Sequence, residues 1–155
     1  MRGNQRHFGT AQLQRRIDQE IKLAKHIGIV VESADDATVV LRAPLAPNGN
    51  HKGTAFGGSL YSVAVLSGWA WLTRFLVLRD ISADAVIQES TMKFMAPVQG
   101  ELHARMRTPA SADVEKFGKM LKRAGRGRIR LTVDMHQQGA LAAVFEGVFA
   151  AALRR

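Results

Sequence analysis

Cysteine is absent from the 155 residues, which excludes disulfide scaffolds, zinc–cysteine sites and thiol nucleophiles together. Polar aromatics are scarce, with one Tyr and two Trp, so no platform for stacking nucleic-acid bases is evident. Acid is also in short supply, at 13 Asp and Glu against 22 Lys and Arg. No carboxylate occurs anywhere from Gly53 to Leu78. The phosphate-binding Gly-Lys-Ser/Thr arrangement is missing, because Lys52 precedes the glycine pair Gly57-Gly58 instead of following it. His-x-x-x-His spacing, carboxylate clusters and a Gly-x-Ser-x-Gly elbow are missing too, so no metal, cofactor or serine triad is expected.

What the chain does have is the balance of a globular protein. Hydrophobic residues make up 46% and charged residues 23%, enough to bury a core in one domain of this length. The net charge is +9 and the pI about 10.8, which makes nucleic acid, anionic membranes and phosphate-bearing ligands the candidate partners. The excess sits at the ends. Residues 1–28 carry six basic and two acidic residues, 101–155 carry eleven and five, and 29–100 carry five and six. Lys116, Lys119, Lys122, Arg123, Arg126, Arg128 and Arg130 follow one another without an intervening acid. That run reads as a solvated face or as a docking surface for anions.

The polar, basic start from Met1 to Arg16 lacks the apolar core of a secretory signal, so a cytoplasmic protein is expected. Gly53 to Thr73 runs 21 residues without a charge, about the length that crosses a bilayer. Its glycine-rich first third and the interruptions at Arg74 and Arg79 argue instead for a buried central helix and against membrane insertion.

Hydrophobic spacing supplies the other elements. Leu13, Ile17, Ile21 and Ala24 predict one helix from Thr10 to His26, with Thr10 as N-cap and Gly28 as stop. Ile29–Ser33 and Thr38–Ala43 read as a hairpin around Asp35-Asp36. A loop over Pro44–Thr54 leads to a long apolar helix from about Gly57 to Arg79. Strands follow at 86–95, 101–107, 128–136 and 141–149, with Gln138-Gly139 marking the last turn. Asp113 to Arg123 is a short amphipathic helix that points Val114, Phe117 and Leu121 inward. About six strands with one apolar side each need a common partner, and only the helix from Gly57 is apolar on every side. The expected α+β architecture is therefore one domain, 1–155, with a helix and basic arm at 1–28 and a core at 29–152. In it a curved antiparallel sheet of about six strands wraps one long central helix.

The segment from Asn48 to Ser59 carries the chemistry. A flexible loop runs into the N-terminus of a buried helix, where free amides and the helix dipole favour negative charge. Amides of Gly57 and Gly58 aimed at a carbonyl would stabilise the oxyanion of acyl transfer. Alternatively, the glycine pair serves close passage of the helix under the sheet.

These blocks resemble the hotdog-fold thioesterases, most closely the family typified by the C-terminal thioesterase domain of YiiD. The resemblance is carried by Pro44–Asn48 with Asn50–Leu60, by Ala83-Asp84 through Met95–Val98, and by Gly127–Leu131 continuing to Phe145–Phe149. It implies a hotdog fold and a homodimer or homotetramer, with sheets joined edge to edge through the strand at 86–95. It also implies interfacial sites for acyl-CoA or acyl carrier protein thioesters. Related enzymes of the phenylacetyl-CoA type place a His before the glycine pair and a carboxylate some turns into the helix. Here those positions are Phe56 and a residue near Val65. Asn50, His51, Glu89 and Ser90 are the groups left to position or activate water, with the Gly57 and Gly58 amides polarising the carbonyl. Alternation places Val86, Gln88, Ser90, Met92 and Phe94 on the inner face and turns Glu89 outward unless a bulge intervenes. Thr54, Phe56, Ser59, Ser62, Gln88, Arg126 and Arg128 are the expected substrate contacts. A non-catalytic module that binds the same ligands is the alternative.

Overall fold

Gly28 and the Gly57-Gly58 pair divide the chain where the spacing places its breaks. The computed structural model describes residues 7–155; the first part of the expected basic arm, residues 1–6, lies outside them. Helix α1 (Thr10–Glu20) starts at the residue expected to cap it, so its cap lies one residue earlier. Gly9 is the N-cap, and its N–H donates to Gln12 Oε1 at 3.2 Å. The single helix expected to His26 is two. Ile21 adopts an extended conformation (φ −114°, ψ 92°), and α2 (Lys22–Ile27) restarts from its carbonyl. Helical spacing alone does not register such a break, because apolar Ile21 and Ala24 keep the same period on both sides of it. Gly28 ends α2 in the left-handed region (φ +80°), which glycine adopts at low cost.

Strands β1 (Val30–Ala34) and β2 (Val39–Ala43) form the expected hairpin. Asp35 Oδ1 closes its turn by accepting the N–H groups of Ala37 and Thr38 at 2.8 and 2.9 Å. A 3₁₀ turn at Ala46–Asn48 leads to the central helix α3 (Gly57–Leu78). Strands β3 (Ala83–Phe94) and β4 (Leu102–Met106), helix α4 (Ser111–Ala124), and strands β5 (Arg126–Gln137) and β6 (Ala140–Leu153) complete the chain. Gln138 and Gly139 both have positive φ, 49° and 78°, which is the backbone that a tight two-residue hairpin turn requires.

The six strands make one antiparallel sheet in the order β1-β2-β4-β5-β6-β3. Its concave face wraps α3, burying Leu60, Val63, Trp71, Leu72 and Phe75. The helix is long and apolar enough to cross a membrane, but here the sheet supplies its apolar surroundings. The tightest approach is at Gly68, where a Cβ would lie 2.6 Å from the Phe149 ring. Helix α4 closes the same face, with Phe117 and Leu121 fully buried and the Phe117 ring 5.5 Å from Phe75.

The sheet's two edges differ. Along β1, Gln14 of α1 acts as a surrogate strand: Val31 N–H donates to its Oε1 at 2.7 Å, and its Nε2 donates to Ile29 O at 3.0 Å. Along β3, β6 is the sole strand partner among the described residues, and the outer edge lies open. Strand β3 also departs from simple alternation. Its register with β6 slips between Ile87 and Glu89, so Gln88 is a bulge residue and the faces exchange there. Beyond the bulge Ser90, Met92 and Phe94 share the inner face as expected. Before it the inward residues are Ala83, Ala85 and Ile87, whereas Val86 is 55% exposed on the outer face.

Candidate active site at the start of the central helix

Two asparagines order the loop before α3. Asn48 is buried, and its Nδ2 donates to Ile27 O at 2.8 Å and Pro44 O at 2.7 Å. Its carbonyl accepts the Phe56 N–H at 2.7 Å. Asn50 folds its own turn. Its Oδ1 accepts from Lys52 N and Thr54 N, its Nδ2 donates to Thr54 Oγ1 at 2.9 Å, and its N–H donates to Thr54 O. Gly53 takes the left-handed conformation (φ +74°) that this turn requires. Asn50 and Thr54 are therefore engaged with each other, and His51 is exposed at the turn.

Phe56 is the N-cap of α3 and provides no side-chain cap. Its carbonyl accepts the N–H groups of Ser59 and Leu60 at 2.9 and 3.1 Å. The N–H groups of Gly57 and Gly58 have no hydrogen-bond acceptor among the described residues, and the first turn contains no acid. The positive end of a 22-residue helix is thus left uncompensated. Close passage under the sheet does not account for these glycines. A Cβ at Gly57 would meet the Phe94 ring at an ordinary 3.5 Å, and one at Gly58 would meet only the ring of Phe56, at 2.5 Å. Close helix–sheet packing occurs at Gly68 instead. Phe56 and Phe94, 58% and 55% exposed, flank the helix start with apolar surface.

One turn further on, the Tyr61 hydroxyl lies 2.6 Å from Ser90 Oγ. Tyr61 packs its ring edge-on against Phe145 at 5.7 Å, which anchors the pair between α3 and the inner face of β3. Sequence reasoning singled out Ser90 and passed over Tyr61. The available signal was the chain's one tyrosine set in an otherwise apolar helix, three residues after Gly58. Ser62 returns its hydroxyl to Gly58 O at 2.8 Å, and Ser59 is half-buried on the same first turn.

Other expected contacts lie elsewhere. Glu89 and Gln88 are exposed at the bulge. Arg126 and Arg128 alternate with buried Gly127 and Ile129, so they stand on the convex side of the sheet, away from α3. The basic run is likewise divided. Lys116, Lys119, Lys122 and Arg123 occupy the exposed side of α4, whereas Arg126, Arg128 and Arg130 project from β5. Among the described residues no group of three His, Cys, Asp or Glu side chains is placed to hold a metal ion.

This geometry has counterparts. The family described as "Putative thioesterase (yiiD_Cterm)" matches residues 10–153. The chain belongs to that family. A solved structure from Chlorobaculum tepidum, of a protein described as having unknown function, is 29% identical, covers 94% of each chain and superimposes with a TM-score of 0.89. A second, described as the "putative thioesterase" of Shewanella oneidensis, is 26% identical with a TM-score of 0.83, over 94% of this chain and 97% of that one. A Pseudomonas aeruginosa protein at 21% identity and TM-score 0.76, covering 93% of this chain and 96% of that one, shares the fold. The six-stranded antiparallel sheet around one long helix is the hotdog fold of these thioesterase-family neighbours.

Proposed function

We propose that the protein hydrolyses an acyl-CoA or acyl carrier protein thioester at the start of α3, in sites completed by a second copy of the chain. The observation that carries this reading is the pair of unpartnered N–H groups on Gly57 and Gly58, with no acid nearby to compete for them. They would bind the carbonyl oxygen and strengthen their hold as it becomes an oxyanion. Water attacks the carbonyl carbon, the C–S bond breaks, and the thiol leaves with a proton. Ser90, oriented by Tyr61, takes the water-positioning role. Asn50 acts through the loop it folds, and His51 at the turn is the nearby imidazole. Phe56, Ser59 and Ser62 contact the substrate.

Assembly through β3 is supported by the contrast between the sheet's edges. One is covered by Gln14, while the other presents twelve residues of strand with Val86 and Phe94 exposed. Lysines on α4 suit an acidic carrier or the phosphates of CoA. Arg126 and Arg128 serve the site of their own chain less readily, being across the sheet from it.

One observation favours a non-catalytic binding module instead: among the described residues of one chain, Glu89 lies outside the inner face and α3 has no carboxylate. Thiol release from a panel of acyl-CoAs, set beside calorimetric binding, separates the two. Gly58→Val leaves a folded protein, because the ring it displaces is exposed, and lowers turnover roughly 100-fold or more by keeping the carbonyl from the amides. Unchanged turnover in that variant refutes the oxyanion role.

A further inference from the structure

Beside β3, one stripe of α3 remains half-exposed along its length. Gly58, Ser62, Val65 and Trp69 follow at four-, three- and four-residue steps and so share one helix face. Val65 and Trp69 give the stripe its apolar surface, and the Ser62 hydroxyl is turned back onto Gly58 O. Ile87, inward on β3 and also half-buried, adds to the same apolar lining. The indole of Trp69 then crosses from helix to strand, its Nε1 donating to Ala85 O at 3.2 Å. Past the indole opens a cleft of about 560 Å³, with apolar walls at Val77 and Ile81 and charged ones at Arg16, Glu20, Asp80, Asp84 and Arg154.

We propose that Trp69 is the stop that sets the acyl-chain length this site accepts. The inference rests on the thioester reading above and narrows its substrate class to acyl groups that fit between the helix start and the indole. A carbonyl held by the Gly57 and Gly58 amides sends its acyl chain over Ser62 and Val65. The chain meets the indole eleven residues along the helix, roughly 17 Å away at 1.5 Å per residue. Beyond that wall lies the part-apolar, part-charged cleft, which the indole and its hydrogen bond to the Ala85 carbonyl cut off from the helix start. The bond also fixes the indole in place: moving it aside costs a hydrogen bond as well as packing.

The test uses the full chain with saturated acyl-CoAs from acetyl to palmitoyl, as thioesters for turnover and as non-hydrolysable thioethers for calorimetry. In the wild type, affinity rises with chain length and levels off once the chain spans the roughly 17 Å to the indole, about a dozen methylenes. In Trp69→Ala it keeps rising past that length, each added methylene contributing at most about fourfold in the partly polar cleft. Trp69→Phe retains most of the bulk and the wild-type cutoff. Trp69→Leu repeats the comparison if the alanine variant fails to fold. An identical cutoff in wild type and the truncated variants overturns the stop, as does a wild type with no cutoff. Thioethers bound with a shifted cutoff but no thioester cleaved leave the stop standing and refute hydrolysis. Hydrolysis with no shift refutes the stop alone, and failure to bind any analogue overturns both.

Discussion

Asn48 and Asn50 stand two residues apart and have different duties. Asn48 is buried and donates to two backbone carbonyls. Replacing its amide by a carboxylate in Asn48→Asp points oxygen at oxygen, so it destabilises more than Asn48→Ala, which costs about 1–3 kcal/mol. Thermal unfolding at neutral pH checks the order, with a shift of about 2–4 °C per kcal/mol at this chain length. Tyr61 and Ser90 act as one hydrogen-bonded unit. Tyr61→Phe and Ser90→Ala should therefore lower turnover by similar factors, and the double variant should be little worse than either. Independent, multiplying losses in the cycle argue against a shared role. Asp35 is a pH-sensitive residue away from the site. Backbone N–H donation from Thr38 and Ala37, with smaller help from Arg74 and Arg105, holds its carboxyl below the ordinary value. A depressed folded value means the stabilisation is present above the unfolded value and fades as pH falls through the folded one. The stability gap between wild type and Asp35→Asn should accordingly shrink on acidification below about pH 4. The loop motif was legible at this scale, because a glycine pair directly before an apolar run marks where the helix begins. That Asn48 ties the loop to the end of α2 was not, since its bond to Ile27 O, 21 residues away, leaves no local trace.

At the scale of elements, the spacing placed every strand and the two longer helices, and it failed where one residue changes phase. The bulge at Gln88 exchanges the faces of β3, so outward Val86 and inward Ser90 sit on the same even count. Deleting Gln88 makes Ile87–Phe149 and Glu89–Val148 consecutive pairs and leaves every other side chain of β3 on its present face, so it removes only the local twist and should barely move the unfolding midpoint. A sharply lowered midpoint would show that the bulge does more than accommodate one extra residue. Helix α3 is constrained from the other direction. At Gly68 any side chain meets Phe149, so Gly68→Val overpacks the core and costs about 1–3 kcal/mol. Gly58→Val, facing an exposed ring, should cost far less stability and far more activity. That reversed pair separates the structural glycine from the functional ones, a distinction invisible in a sequence where both are simply glycine within the same helix.

For the whole molecule, the asymmetry of the sheet matters most. Gln14 seals the β1 edge, and β3 presents a long strand with exposed Val86, Phe94 and Met95 beside it. An open apolar edge of this kind invites pairing with another strand. Val86→Arg should reduce self-association in sedimentation experiments without unfolding the chain, because the position is already outward; unchanged association would direct attention to another surface. Charge is also distributed by the fold. The lysines of α4 and the arginines of β5, continuous in the chain, are parted between a helix surface and the convex side of the sheet. The sequence by itself determined the period of each element, the all-apolar helix that must become the centre, and the amide-rich start of that helix. These follow from local stereochemistry and from the need to bury an apolar surface. Only the tertiary structure decided which faces the strands present, which edge stays open, and that Tyr61 meets Ser90 while Trp69 meets Ala85. Each depends on a bulge or a contact between distant segments, and those are fixed when the sheet closes around the helix.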